Sequence, residues 1–417
     1  MALIRGRMRD WLAAAAEEHP DRLAVEADDG RLTYAELNAR ADELARRLHV
    51  SSGERVQAAA TSDLAFATLL HALPRRAAAL EPLPADRPGP PLAFAEPGSG
   101  ELRLDHPPDA IHTVIATSGT TGEPKLVELT HRNHAASAAA AADALGAEPD
   151  DRWLCPLPLH HVGGLNILIR SAIHGTTAVL HGRFDPERVR ALLEAGEVTL
   201  ASLVPTMLAR LRDAGLRETP GLRAIALGGG PVPAGLLDWA EGEGIPVTPV
   251  YGMTETCSQV VAGIPGRVLR GAELKISEEG EILIRGDMVA SGTRRADGWL
   301  HTGDRGRLDA DGLLHVEGRI KELIVTGGEN VAPLEVEQAL LTHPAVADAG
   351  VAGVPDPLWG EAITAFVVLS EPVEEGELDA WARARLEPFK VPKAIHTLPE
   401  LPRNSAGKLL RARLPTH

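Results

Sequence analysis

The stretch Thr117-Ser-Gly-Thr-Thr-Gly-Glu-Pro-Lys125 brings two glycines, several hydroxyls and one ammonium into nine residues. Such a loop offers backbone N–H groups, hydroxyls and a positive charge to phosphate oxygens. Its spacing differs from the Walker A pattern, because no glycine directly precedes Lys125 and no Ser or Thr follows it. Taken alone, the stretch predicts either a phosphate-binding loop or a solvated turn.

Four further motifs follow in the chain, and they favour the first interpretation. They are Tyr251-Gly-Met-Thr-Glu255, His301-Thr-Gly-Asp304, Gly318-Arg319 and Gly407-Lys408. With the first stretch they resemble the signature set of the adenylate-forming superfamily, which includes acyl- and aryl-CoA ligases, peptide-synthetase adenylation domains and luciferases. The resemblance covers residues 111–417, and it implies an enzyme that uses ATP, Mg²⁺ and CoA to join a carboxylic acid to a thiol.

Length and composition limit the number of domains, the kinds of partner and the location that can be expected. A chain of 417 residues is too long for one ordinary core, so two or more domains are expected. The net charge of −16 argues against nucleic acid or an anionic membrane as the main partner. No leader and no run of 18 apolar residues is present, so no membrane insertion is expected. Two distant cysteines, Cys155 and Cys257, are consistent with a reducing cytoplasm. The sequence does not decide between a monomer and a homo-oligomer.

Hydrophobic periodicity predicts how the chain is organised. Residues 1–50 indicate two helices, at Arg7–Glu18 and Leu32–Leu48, whereas the proline-rich segment 51–110 gives no reliable assignment and is shorter than in most relatives. From Ile111 onward, strands alternate with helices, which is typical of a parallel sheet with ligands at the carboxyl ends of its strands. The predicted strands are Thr113–Thr117, Thr177–His181, Leu200–Val204, Ala224–Gly228 and Val247–Val250, and the helices include Pro186–Ala195 and Pro205–Ala214.

The later part of the chain changes pattern twice. Glu273–Ile276, Glu281–Arg285 and the run to His301 predict a small antiparallel barrel. After Arg319, the pattern predicts a compact α+β unit. We therefore expect an α/β fold: a large N-terminal domain (1–318) with mainly parallel α/β subdomains and a small β-barrel, followed by a small mobile α+β domain (319–417). Within the second domain we predict strands at Leu323–Val325, Ala347–Val354 and Ala362–Leu369, and helices at Pro333–Leu341 and Leu378–Leu386.

The resemblance implies which residues bind the nucleotide. The phosphate loop would act through Thr117, Ser118, Gly119, Thr120, Thr121, Gly122 and Lys125. The adenine would lie against Gly228, Gly229 and Gly230 and stack on Tyr251, whose motif also contains Gly252 and Met253. Asp304 would accept both ribose hydroxyls, with Arg319 assisting. Thr254 would contact the α-phosphate and Glu255 would hold Mg²⁺.

The resemblance also implies that the reaction has two halves, adenylation of the acid and transfer of the acyl group to the thiol, and that different residues serve each half. Lys408 would bridge the substrate carboxylate and the α-phosphate as a point charge during adenylation. Lys321 falls at the position of the family's hinge, although a solvated Lys after a strand is the alternative. After rotation of the small domain, the strand containing Gly327 and Gly328 would replace Lys408 and line a tunnel for the thiol.

The acid-binding segment has the acyl-CoA ligase form. Pro158-Leu-His-His161-Val-Gly-Gly-Leu165 contains no Asp that could pair with an α-ammonium, so an amino acid substrate is disfavoured. His161 matches the family's pocket histidine better than His160 does, and Gly164 belongs to the same segment. Several stretches resemble ligases that activate o-succinylbenzoate in menaquinone biosynthesis. Their substrate carries a second, aromatic carboxylate, for which Arg170 is the candidate partner; an Arg on a helix surface is the alternative.

Three other functions stay open. The acid could be another aryl or acyl acid, or the thiol could belong to a carrier protein. A non-catalytic nucleotide-binding regulator is a third class, although such a protein is expected to have lost Lys408 or Glu255, and both are present. Release of pyrophosphate with a panel of carboxylic acids would separate these functions.

Overall fold

A mixed sheet with parallel strands at its centre forms the frame of the larger part of the chain. The computed structural model describes residues 6–94, 102–117, 125–403 and 409–415. In chain order, its first elements are β1 (Met8–Arg9), α1 (Trp11–Glu18), β2 (Leu23–Ala27), β3 (Gly30–Thr33), α2 (Tyr34–Arg47), β4 (Arg55–Ala59), α3 (Leu64–Arg75), β5 (Ala79–Leu83), β6 (Asp105–His106), β7 (Ile111–Thr117) and β8 (Lys125–Thr130).

Helices and parallel strands alternate in the segment that follows. The elements are α4 (His131–Leu145), β9 (Arg152–Cys155), α5 (Val162–His174), β10 (Thr177–Leu180), α6 (Pro186–Glu194), β11 (Leu200–Leu203), α7 (Pro205–Asp213), β12 (Ala224–Leu227), α8 (Ala234–Gly242) and β13 (Val247–Met253). Strands β2, β10, β9, β11, β12 and β13 lie side by side in this order, all parallel. This alternation confirms the predicted α/β architecture.

A second, smaller sheet lies beside the first. Its order is β4-β5-β7-β8, with β4, β5 and β7 parallel and β8 antiparallel. One hydrophobic core joins the two sheets, because Leu80 and Ile115 of the small sheet and Trp153 and Ala178 of the large one belong to the same buried cluster. Residues 125–130 thus return beside β7 as a hairpin, so that Thr117 and Lys125 face each other across the loop that connects them.

Antiparallel strands continue the large sheet beyond β13. They are β14 (Ser258–Gly263), β15 (Gly266–Val268), β16 (Ala272–Ile276), β17 (Glu281–Gly286), β18 (Leu300–Leu308) and β19 (Leu314–Arg319). Each pairs with its neighbour in the order β16-β17-β18-β19-β15-β14. They include the strands predicted for the barrel, but among the described residues β16 pairs only with β17, so the strands do not close into a barrel. With Ala140 of α4 they form one buried cluster.

The C-terminal residues form a separate sheet with its own core. Its elements are β20 (Ile324–Thr326), β21 (Glu329–Val331), α9 (Pro333–Leu341), β22 (Val346–Asp356), β23 (Gly360–Leu369), α10 (Glu377–Arg383) and β24 (Ala394–Thr397). The order β21-β20-β23-β22, with β24 paired to β23, brings together a buried cluster that contains only residues from Ile324 onward. The predicted strands and helices of this unit are confirmed within one to three residues.

Capping explains where the predicted boundaries were wrong. The helix predicted from Arg7 begins at Trp11, because the Asp10 carboxylate accepts the N–H of Ala13 and the preceding Met8–Arg9 pairs as a strand. The helix predicted from Leu32 begins at Tyr34, because Thr33 and Glu36 form a capping box. No helix in the described part of the chain is long and apolar enough to cross a membrane.

Candidate active site

A cavity of about 930 Å³ lies where parallel strands of both sheets end. Its wall contains Pro156 after β9, Val204 after β11 and Gly228 after β12, together with Pro84 after β5. The carboxyl ends of parallel strands are the usual position of ligands in α/β folds, because the loops that follow the strands converge there. Eight of the predicted site residues line it: His161, Gly164, Arg170, Gly228, Gly229, Gly252, Met253 and Thr254.

Steric contact or a positive φ explains four of the glycines in this wall. A Cβ at Gly228 would lie 2.8 Å from Cγ2 of Val250, and Gly229 has a φ of +86°. A Cβ at Gly252 would overlap the carbonyl of Ser258, and one at Gly164 would lie 2.6 Å from the carbonyl oxygen of Pro158. These four positions therefore admit only glycine without rearrangement. Gly230 has open space around its Cα, so packing alone does not require glycine there.

The phosphate side of the site is described at both ends of the loop. Thr117 Oγ1 donates to the carbonyl of Lys125 at 3.1 Å, and Lys125 Nζ lies 3.9 Å from Glu255 Oε1. The structure thus brings the lysine of the first motif to the carboxylate of the second. The intervening predicted residues, Ser118, Gly119, Thr120, Thr121 and Gly122, lie outside the described part of the chain.

The Glu255 carboxylate could hold a Mg²⁺ ion whose other ligands are substrate phosphates and water. Among the described residues, no group of three or more His, Cys, Asp and Glu side chains could hold a metal ion. Mg²⁺ is commonly held by one or two carboxylates and by substrate phosphates, with water completing the octahedron. A single carboxylate next to a lysine of the phosphate loop fits this arrangement.

Tyr251, Asp304 and Arg319 form a second polar cluster. The Asp304 carboxylate, which is buried, accepts the Tyr251 hydroxyl at 2.7 Å and lies 2.8 Å from Arg319 Nε. Burial, followed by the charge of Asp304, raises the pKa of Tyr251 well above its usual value, so the phenol remains protonated. Because β13, β18 and β19 each contribute one member, the antiparallel pairing of β18 with β19 brings the third and fourth motifs together.

The two histidines at the start of α5 are neutral near pH 7. Their rings lie 4.1 Å apart, and both residues line the cavity. Burial lowers the pKa of His161 to about 4, with His160 adding a smaller effect. His161 Nε2 is buried with no hydrogen-bond partner among the described residues. An uncharged imidazole can contact an acyl group without adding a positive charge to the wall of the cavity.

Arg170 is buried, so the alternative of an Arg on the helix surface is wrong. It is 3% exposed, on the inner side of α5, and its guanidinium lies 5.6 Å from the centre of the Trp153 ring. Nη2 donates to Ser137 Oγ at 2.9 Å and to Gln259 Oε1 at 3.0 Å. Burial lowers the pKa of Arg170 to about 10, which still leaves it charged near pH 7. The structure therefore places a cation in the wall of the cavity.

Three residues that support this part of the wall were missed by the sequence analysis: Ser137, Asn166 and Gln259. Ser137 Oγ and Asn166 Nδ2 both donate to the carbonyl of Cys257, at 2.5 and 2.7 Å. Cys257 itself is a buried thiol whose pKa burial raises to about 11, as expected of a packing residue. One signal was available for Gln259, since it lies four positions after Glu255 in the same motif region.

The remaining predicted residues belong to the C-terminal part. Lys321 is exposed in the short 3₁₀ turn Ile320–Glu322, and Gly327 and Gly328 form the β20–β21 turn with φ of +60° and +88°. None of the three lines the cavity. Lys408 lies outside the described residues, but both flanks of its segment are anchored: Arg403 pairs with Asp348 at 2.7 Å and Arg411 with Glu322 at 3.0 Å.

Comparison with known proteins agrees with this geometry. The family model "AMP-binding enzyme" matches residues 12–96 and 94–293, and "AMP-binding enzyme C-terminal domain" matches residues 335–408. The 2-succinylbenzoate–CoA ligase of Bacillus licheniformis is 38% identical over 97% of this chain and 99% of its own length. That of Bacillus subtilis is 44% identical over 73% of this chain and 69% of its own length.

Solved structures show the same fold. The o-succinylbenzoate CoA synthetase of Bacillus subtilis with its acyl-adenylate intermediate superposes with a TM-score of 0.87 at 34% identity, covering 98% of both chains. The same enzyme with ATP and magnesium ion gives a TM-score of 0.87 at 34% identity, over 98% of this chain and 99% of that one. The family models match most of the sequence, and the Bacillus licheniformis ligase is aligned over nearly the whole length of this chain. The chain belongs to the AMP-binding enzyme family.

Proposed function

We propose that this protein is an ATP-dependent acid–thiol ligase that activates o-succinylbenzoate as its acyl-adenylate and transfers the acyl group to CoA. The substrate assignment rests on one observation, the buried and charged Arg170. It lies in the wall of the same cavity as the glycines and Thr254 of the nucleotide motifs. A monocarboxylic acid needs no such cation once its carboxyl has become an adenylate. A dicarboxylic acid keeps one carboxylate, which requires a charged partner when it is desolvated.

The first half-reaction joins two anions, so its catalysis is electrostatic. The acid's carboxylate attacks the α-phosphate of ATP, and pyrophosphate leaves as the P–O bond to the β-phosphate breaks. In our proposal Lys125, with Ser118, Thr120 and Thr121, holds the departing phosphates, and Thr254 contacts the α-phosphate. The Lys125–Glu255 proximity supports this assignment. Mg²⁺ held by Glu255 would neutralise phosphate charge.

The adenosine end of the nucleotide is assigned to the cluster of Tyr251, Asp304 and Arg319 and to the nearby glycines. Asp304 would accept hydrogen bonds from the ribose hydroxyls, with Arg319 and Tyr251 fixing the carboxylate. The backbone at Gly228, Gly229 and Gly252 would allow the adenine to approach. Support comes from the hydrogen bonds within the cluster and from the close contacts that any Cβ would make at these glycines.

The second half-reaction is attack of the CoA thiol on the acyl carbonyl, with AMP as the leaving group. We assign Lys408 to adenylation alone and Gly327 and Gly328 to the tunnel that the thiol enters after rotation about Lys321. The boundary between the domains is proposed at residues 318 and 319. The short turn at Ile320–Glu322 and the separate core beyond it support the hinge at Lys321 and this boundary.

The experiment is pyrophosphate release with a panel of carboxylic acids, followed by detection of the thioester. We expect o-succinylbenzoate to give ATP-dependent release and a CoA thioester. Preference for another acid would replace the substrate but keep the ligase. Transfer only to a phosphopantetheinylated carrier protein would replace CoA, and no turnover with any acid would favour a regulator. A cytoplasmic location, suited to two free buried cysteines, and a homo-oligomer stay predictions, which fractionation and sedimentation velocity test.

A further inference from the structure

The side-chain amide of Gln259 lies between Arg170 and Ser258 in the cavity wall. Its Oε1 accepts Arg170 Nη2 at 3.0 Å and Ser258 Oγ at 2.7 Å, and the residue is 3% exposed. Two donors on one oxygen fix which end of the amide faces Arg170, because a flipped amide would set N–H against N–H. The Nε2 group therefore points away from both partners.

Two N–H donors in this wall have no partner among the described residues. They are Nε2 of Gln259 and Nε of Arg170, and both are buried. Buried donors are nearly always satisfied in folded proteins, since an unpaired one loses its hydration without replacement. Both residues line the same cavity. Two unsatisfied donors in the wall of one cavity are what an acceptor group bound there could complete.

Charge gives a second, independent indication. The hydrogen-bond partners of Arg170 in the described structure are Ser137 and Gln259, and both are neutral. A buried arginine is normally paired with a carboxylate. The protein thus supplies a buried cation with hydrogen bonds that position it, while its countercharge is left to come from elsewhere.

The backbone that presents Gln259 is held in an unusual conformation. Cys257 and Ser258, which precede it, have φ of +52° and +107°, a region that non-glycine residues seldom occupy. The carbonyl of Cys257 is fixed by Ser137 and Asn166, so the surrounding side chains maintain this conformation. Strained backbone of this kind is concentrated at functional sites, where it directs particular side chains.

We propose that Gln259 determines specificity for a diacid, by positioning Arg170 through its Oε1 and by donating its Nε2–H to the carboxylate that is not activated. This inference rests on the proposed function, because it assumes that the substrate carries a second carboxylate. Gln259 is the right residue for this purpose because its amide is neutral. A glutamate of the same shape would itself be the partner of Arg170, and it would repel a second carboxylate.

The test compares two acids on three proteins. Adenylation is measured by pyrophosphate exchange with o-succinylbenzoate and with 4-oxo-4-phenylbutanoate, the matched acid that lacks the ring carboxylate. The proteins are the intact enzyme, Gln259→Glu and, as the control, Gln338→Glu, which makes the same change at an exposed position of α9. For Gln259→Glu we expect kcat/KM to fall at least about 100-fold for the diacid, mainly through KM, and to change less than about threefold for the monoacid.

Each result decides one question. Equal losses for the two acids, or an unchanged preference for the diacid, would overturn the inference and leave the proposed function intact. Absence of diacid turnover by the intact enzyme would overturn the proposed function and with it the basis of the inference. If Gln259→Glu does not fold, Gln259→Met decides: it keeps the length and removes both hydrogen bonds. We expect about a tenfold loss confined to the diacid, and an equal loss for both acids overturns the inference here too.

Discussion

The hydroxyl of Tyr251 donates a 2.7 Å hydrogen bond to the carboxylate of Asp304, 53 positions further along the chain. The bond ties the motif that ends the parallel part of the sheet to the motif in β18. Arg319 contacts the other carboxylate oxygen, so the orientation of Asp304 is fixed from two sides. A carboxylate held in this way is prepared to accept two hydroxyls at once, since its reorganisation on binding is small.

Tyr251→Phe should therefore weaken the binding of ATP without unfolding the protein. The ring remains, and Asp304 keeps Arg319, so we expect the KM for ATP to rise about 2- to 10-fold with little change in the KM for the acid. The chain offers a matched control in its only other tyrosine. Tyr34 donates to backbone carbonyls in the core, so Tyr34→Phe should lower the free energy of unfolding by about 1–3 kcal/mol and leave the KM for ATP unchanged. If both substitutions raised the KM for ATP equally, loss of the hydrogen bond from Tyr251 to Asp304 would be excluded as the cause.

Lys408→Ala should abolish adenylation and spare thioester formation. In the proposed mechanism, the lysine's charge is needed while the carboxylate meets the α-phosphate, and the proposed rotation of the small domain would then remove it from the site. We expect pyrophosphate release to fall at least about 100-fold, while preformed acyl-adenylate is converted to the CoA thioester at nearly the normal rate. Lys275→Ala, at a lysine that lies over the Trp299 ring, is the control. Parallel losses in both half-reactions would remove Lys408 from this role.

Lys321→Pro should have the reverse effect. Proline fixes φ and would restrain rotation at the turn Ile320–Glu322, so acyl-adenylate should form and remain bound. Lys321→Ala tests whether the charge matters, and it should retain both half-reactions because it leaves φ free. Rapid-quench measurement of adenylate and thioester separates the steps. Normal thioester formation by the proline variant would show that the hinge lies elsewhere.

The sequence predicted elements and motifs well, for a physical reason. Periodicity and short motifs are local. The strands Thr177–Leu180, Leu200–Leu203 and Ala224–Leu227 are short, mainly apolar and buried at every position, which is typical of a parallel sheet covered on both faces. The surroundings of Arg170 are not local. Ser137 and Gln259 lie 33 and 89 positions away and reach it only after α4, α5 and β14 have packed.

One local signal for the burial of Arg170 was nevertheless present. The helix Val162–His174 is apolar on nearly all sides and carries a single arginine, and a helix of that composition is normally buried. By contrast, the helix Leu64–Arg75, with Pro74 in its last turn, was not predicted, although Asp63 caps its start by accepting the N–H of Phe66. The buried ion pairs of Arg75 with Asp10 and Asp42 hold that end of the helix, and such contacts are set by tertiary packing.

Acid should destabilise the protein through its buried histidines. Burial lowers the pKa of His71 to about 4 and that of His134 to about 3, whereas both lie near 6.5 in the unfolded chain. Between pH 6.5 and about 4 the unfolded state therefore binds more protons, so the free energy of unfolding should fall as pH falls, by about 1.4 kcal/mol per pH unit for each histidine. Above pH 6.5 this contribution is fully present.

Urea denaturation at pH 7, 6 and 5 measures this slope. His71→Leu removes one titrating group, and it should reduce the fall in the free energy of unfolding between pH 7 and pH 5 by about 2 kcal/mol in total, whatever its effect on stability at pH 7. A His71→Leu protein with the original slope would show that this histidine does not titrate as its burial implies.

The substrate assignment is tested most directly at Arg170. Arg170→Ala should raise the KM for o-succinylbenzoate strongly, because the ring carboxylate loses a charge-assisted partner worth about 1.5–3 kcal/mol. The KM for 4-oxo-4-phenylbutanoate should barely change, since that acid has no second carboxylate to pair. Truncation also opens space beside Trp153, so Arg170→Met, which keeps much of the volume, should give the same contrast with less loss of thermal stability. Equal losses for both acids in both variants would mean that Arg170 supports the fold rather than the substrate.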